Sequence, residues 1–106
     1  MIPHITKENF KSGVEESTKP VIIDAYAAWC GPCQHMTPIF EEVAQEHGDA
    51  YSFFKLNVDD ARDLAAHFGI SSIPTFLFIK KGTIVATETG FLSKADLEKK
   101  IQTLLS

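Results

Sequence analysis

The chain has 106 residues, 44% of them hydrophobic and 23% charged, which fits one globular domain over residues 1–106 and argues against a disordered chain. The formal net charge of −4 comes with no clustered basic patch, so nucleic acid is not an expected partner, and the longest apolar runs, such as Val21-Ile22-Ile23 and Phe76-Leu77-Phe78-Ile79, are too short to span a bilayer. Two cysteines are too few for a secreted disulfide scaffold, and Met1-Ile2-Pro3-His4-Ile5 has neither the charged nor the apolar region of a signal peptide, so a cytoplasmic location with cysteines kept for chemistry is expected.

In chain order, residues 2–5 read as a short first strand. Thr6 is placed to cap a helix over about 7–16, with Phe10 and Val14 on one face. Lys19-Pro20 interrupts the chain, and residues 21–27 are then nearly continuous apolar sequence, the pattern of a strand covered on both faces. A long helix is expected over 32–47, since Met36, Ile39, Phe40, Val43 and Ala44 recur at helical spacing. Pro38 removes a hydrogen bond to Gln34 within it and predicts a kink, and Gly48-Asp49 ends it. Residues 52–58 form the next strand; Asp59 or Asp60 caps a short helix carrying Leu64, Ala65 and Phe68, which Gly69 stops. Residues 75–80 and 84–89 are strands joined by Lys81-Gly82 as a hairpin. Ser93 and Asp96 form a capping box for the last helix, with Leu97, Ile101, Leu104 and Leu105 facing inward. The order βαβαβαββα makes an α/β chain in which alternation implies parallel pairing and the hairpin makes the sheet mixed.

The residues with the clearest chemistry are Cys30-Gly31-Pro32-Cys33, at the junction between the apolar strand and the long helix. Residues three apart on a helical turn are neighbours, so the two sulfurs can bond with little backbone movement. Pro32 suits a first helical position, where its missing N–H has no partner to lose. Free N–H groups and the positive end of the helix dipole stabilise a thiolate on Cys30, while Cys33 lies one turn in and is expected to be less exposed. Other uses of such a pair fit less well. A structural zinc site needs two more ligands, and His4, His35, His47 and His67 supply no matching pair. A haem attachment needs His where Gln34 stands, and a purely structural disulfide over so short a loop gains little.

Asp24 interrupts the most apolar strand. It is a candidate proton carrier for the thiols if buried, and otherwise a solvent-facing or structurally paired carboxylate. Lys55, at similar depth in the next strand, either pairs with it or carries its ammonium out to water. Pro74 starts a strand, where trans is the commoner geometry. Trp29 reads equally as a contact for partners or as core.

Taken together, these residues resemble the thioredoxin family over essentially the whole chain. Trp29-Cys30-Gly31-Pro32-Cys33 matches its W-C-G-P-C site letter for letter; Asp24, Pro38, the Lys55-Leu56-Asn57-Val58-Asp59 strand end, Ile73-Pro74-Thr75, Lys81-Gly82 and Gly90 match further positions. The resemblance implies a central five-stranded mixed sheet flanked by four helices, in a protein-disulfide reductase and electron carrier of cell redox homeostasis. It implies Cys30 as nucleophile and Cys33 as resolving thiol, their pKa modulated by Gly31 and Pro32, with Asp24 as acid/base and Lys55 near it. Trp29, Ile73, a cis Pro74, Thr75 and Gly90 are implied as the substrate-binding groove. The implied partners are disulfide-containing proteins and a thioredoxin reductase that itself carries FAD and NADPH, so the chain, a monomer, binds no cofactor and no metal. Five positions depart from the family's habit: Gln34 and Ser71 where basic residues are common, Ala25-Tyr26 for Phe-Trp, and Phe91 for a small residue. They bear on the choice of partners.

Overall fold

β-Branched and other apolar residues, interrupted by Asp24, make up Val21–Tyr26, and in a computed structural model of the chain they form a strand, β1, buried along nearly its whole length. The structure describes residues 2–106; Met1, the first residue of the N-terminal stretch, lies outside them. Ser52–Asn57 (β2) pairs with β1 in parallel, placing Lys55 opposite Asp24. Thr75–Lys80 (β3) pairs with the other side of β1 antiparallel, placing Phe76 opposite Asp24. Thr83–Thr89 (β4) pairs antiparallel with β3, so the strand order is β2-β1-β3-β4. Lys81 and Gly82, at φ 53° and 76°, make the tight hairpin turn expected between them; two successive left-handed residues match the twist of the flanking strands.

Three α-helices cover this sheet: Gly31–His47 (α1), Arg62–His67 (α2) and Lys94–Leu105 (α3). Alternation along the strands splits the core in two. On one face Ile22, Phe53, Phe76 and Phe78 pack with Met36, Phe40 and Val43 of α1 and Leu97, Ile101 and Leu105 of α3. On the other, Val21, Ile23, Ala25, Leu56, Leu77 and Ile79 pack with Val14 and with Leu64 and Ala65 of α2. Lys94 donates to Glu42 and Glu46 at 2.7 and 2.8 Å, and His47 meets Glu98 at 2.9 Å, fastening α1 to α3 at the surface.

The expected five strands and four helices become, among the described residues, four strands and three α-helices. The first strand is reduced to a single parallel bridge between His4 and Lys55. Pro3 has no N–H to donate, although its carbonyl accepts from Lys55 and the Ile5 N–H returns to the Lys55 carbonyl. Beyond Ile5 the Thr6 N–H turns to Asn9 Oδ1 at 2.7 Å, and the ladder ends. The helix expected over 7–16 is a π-helical segment, Lys11–Glu15, with Glu16 N donating to Lys11 O. Thr6 is not its cap. The Asn9 side chain accepts from Thr6 and donates to the His4 carbonyl, a local turn that uses up the residues of a first helical turn, and Gly13 weakens the helical tendency of the rest. Asp59 and Asp60 do not cap α2 either: Ala61 holds that position with no side-chain bond, and both aspartate N–H groups donate to Asn57 Oδ1.

Candidate active site

Cys30 is the N-cap of α1. Its extended backbone (φ −86°, ψ 115°) turns the chain from the loop after β1 into the helix, with Pro32 in the first turn. The Cys30 N–H donates to Ala27 O at 3.2 Å, and Cys30 Sγ accepts from the Cys33 N–H at 3.2 Å. The sulfur thus occupies the place of a capping oxygen and receives an N–H otherwise left without a partner. Cys30 and Cys33 are joined as a disulfide with their Cα atoms 5.2 Å apart, well inside the span a disulfide bridges. Both are buried, Cys30 at 5% and Cys33 at 2% exposure, in the expected order, with Ala27, Tyr26, Val58 and Ile73 around them. Gln34, which the resemblance marks as a missing basic residue, donates to Ala28 O at 2.7 Å and braces the loop carrying the motif.

Asp24 is fully buried, and neither carboxylate oxygen has a hydrogen-bond partner. It shares the strand face of Ile22, so its side chain projects toward the layer that holds α1. Burial pushes its pKa up to about 6, against an opposing pull from the Lys55 ammonium. Lys55 Nζ donates to Thr37 Oγ1 at 3.4 Å, and that hydroxyl donates to the Cys33 carbonyl at 3.3 Å. The ammonium also stands 4.5 Å from the centre of the Tyr26 ring, whose hydroxyl meets His4 Nε2 at 2.6 Å. Lys55 and the Cys33 carbonyl are therefore linked through Thr37, one helical turn past Cys33, a position with a helical-spacing signal that sequence reasoning passed over, while Lys55 acts on Asp24 only through its charge.

Trp29 is 71% exposed and is therefore not a core residue, and its indole N–H donates to Asp59 Oδ2 at 2.9 Å. Asp59, read from sequence as a helix cap, instead orients this ring. The Ile73–Pro74 peptide bond is cis, and Ile73 packs on the cysteine pair. The Pro74 carbonyl accepts from the Gly90 N–H at 2.8 Å, joining the two loops, and Thr75 Oγ1 donates to Ser72 O. Gly90 has φ 103°, a backbone that side-chain-bearing residues rarely adopt. A separate cleft of about 530 Å³ runs from His4 past Asp59 to Leu64, and neither cysteine lines it.

No helix among the described residues is long and apolar enough to cross a membrane. A family model described as thioredoxin matches residues 1–103. Among similar proteins, a thioredoxin of Haemophilus influenzae is 44% identical over 94 residues, covering 89% of this chain and 88% of its own length. A thioredoxin of Acidithiobacillus ferridurans is 41% identical over 96 residues (91% and 89% covered), and one of Alicyclobacillus acidocaldarius 41% over 101 residues (95% of each). With a cysteine pair at disulfide distance on the end of α1 and a match along nearly its full length, the chain belongs to the thioredoxin family of thiol–disulfide oxidoreductases.

Proposed function

We propose that the chain, as a single domain and a monomer in the cytoplasm, reduces disulfides of partner proteins with Cys30 as the attacking and Cys33 as the resolving thiol. The observation that carries this assignment is the N-cap position of Cys30, whose sulfur takes an N–H of α1. That environment favours the thiolate over the thiol, and the thiolate is the nucleophile. Gly31 and Pro32 tune it by shaping the first helical turn. The Cys30 thiolate attacks one sulfur of a partner disulfide, forms a mixed disulfide and expels the other partner sulfur as a thiolate. The Cys33 thiol gives its proton to the Asp24 carboxylate, and the resulting thiolate attacks Cys30 Sγ. The second partner sulfur leaves and is protonated. The partner gains two electrons, and the chain closes its own disulfide.

Asp24 suits the proton role because its pKa, about 6, lies near neutral pH, and Lys55 favours its charged form. Trp29, Ile73, Pro74, Thr75 and Gly90 form the face on which the partner segment lies. Ile73 already packs on the cysteines, and the Pro74–Gly90 hydrogen bond fixes the two loops together. Thioredoxin reductase returns the electrons; the flavin and NADPH belong to that protein, and the chain itself binds no cofactor and no metal.

Reduction of insulin, driven by NADPH and a thioredoxin reductase, tests this. Cys30→Ser is expected to abolish turnover, and full activity in that variant overturns the assignment. Cys33→Ser is expected to stall as a covalent complex with the partner, visible by mass spectrometry and released by dithiothreitol.

A further inference from the structure

Phe91 keeps 51% of its surface exposed beside the reactive face, at a position where the sequence departs from the family's small residue. Its backbone is tethered on both sides. Before it, Gly90 N donates to Pro74 O at 2.8 Å; after it, the buried Leu92 donates its N–H to Met36 Sδ at 3.3 Å on α1. The ring stands over the outer surface of α1, where Pro32, His35, Pro38 and Ile39 complete an open trough of about 570 Å³. That volume lies within the ~300–1,000 Å³ usual for binding clefts. None of the five lining residues is an acid, a lysine or an arginine, so the trough favours an apolar occupant. The backbone on either side of Phe91 is hydrogen-bonded in place, which lowers the ordering cost of binding.

We propose that this trough seats an apolar side chain, aromatic or branched, of the partner polypeptide close in sequence to the cysteine that Cys30 attacks, and that Phe91 thereby sets a preference among target disulfides. The inference rests on Cys30 as the attacking thiol. The occupant follows from continuity: Pro32 belongs both to the reactive motif and to the wall of the trough, so a chain joined to Cys30 passes its rim. An extended segment advances ~3.3 Å per residue, so the positions to vary are those two to four residues from the partner cysteine.

The test uses disulfide peptides identical except for Phe, Ser or Asp at those flanking positions, together with a small disulfide that has no flanks. Each variant's peptide kcat/KM is normalised to its own rate on the small disulfide. The chain is expected to prefer the Phe peptide over the Ser peptide by about tenfold, mostly in KM, the scale on which hydrophobic pockets discriminate. Phe91→Ser is expected to erase most of that preference and Phe91→Leu to keep most of it, with far-UV circular dichroism confirming that each is folded. A wild-type chain indifferent to the flanks, or a preference unchanged in Phe91→Ser, overturns the proposal. So does sedimentation showing Phe91 covered by a second copy of the chain at assay concentration. A wild-type chain that fails on the small disulfide overturns instead the redox assignment beneath it.

Discussion

Asp24 carries opposite consequences for stability and for turnover. Its pKa in the folded chain, about 6, lies above the ordinary 3.8, so the folded state holds this proton more tightly than the unfolded state does. The stability this gives is fully present below about pH 4 and is lost as pH rises through 6. At neutral pH the buried charge costs roughly 3 kcal/mol, since each tenfold change in proton affinity is worth about 1.4 kcal/mol. Asp24→Asn is therefore expected to stabilise the chain toward urea at pH 7 by up to that amount, little at pH 4, and to slow release of the reduced partner. Equal stabilisation at both pH values, read from paired urea titrations, would contradict this account. Asp24 was legible in the sequence because a lone charge stands out in an apolar run. The contacts that join its neighbour Lys55 to Tyr26 and, through Thr37, to the Cys33 carbonyl were not. Thr37, Lys55 and Tyr26 come from three elements, and only the register of β1 on β2 and the seating of α1 bring them together.

At the scale of the element, helix ends decide most of the geometry. Ser93 caps α3 by accepting from the Asp96 N–H at 3.1 Å, as the Ser-x-x-Asp spacing predicted. Ser93→Ala is expected to cost about 1 kcal/mol in equilibrium unfolding, with the denaturant slope unchanged. The long α1, the 75–80 strand, the hairpin turn and α3 were readable because periodicity, turn residues and caps agree there. The first helix and the caps proposed for it and for α2 were not, because Asn9 and Asn57 spend their side chains on local turns that sequence periodicity does not register.

For the whole molecule, the central position of β1 matters most. It has a strand on each side and a packed layer on each face, and its end delivers the chain to Cys30. Alternating elements made a mixed sheet readable, but not that the fifth strand would shrink to one bridge, which depends on the missing N–H of Pro3 and the turn at Asn9. Phe40 ties the layers together. It is fully buried on α1, with its ring 5.5 Å from Phe53 and 6.1 Å from Phe76. Phe40→Ala is expected to cost about 3–5 kcal/mol and to lower the thermal midpoint by more than ~10 °C, measurable by calorimetry. That is a large share of the roughly 5–15 kcal/mol that holds a domain together.

The tethered loop around Gly90 bears on how this protein can be re-targeted. Gly90 has open space around it yet sits at a backbone angle that strains any other residue, so it is a fixed point whatever side chain is tried there. Phe91, the next residue, has an ordinary backbone, faces water and touches nothing the reaction consumes. Natural drift or a designed library can therefore rewrite Phe91 while the redox machinery stays intact, and one loop keeps a fixed glycine beside a variable reader of its clients.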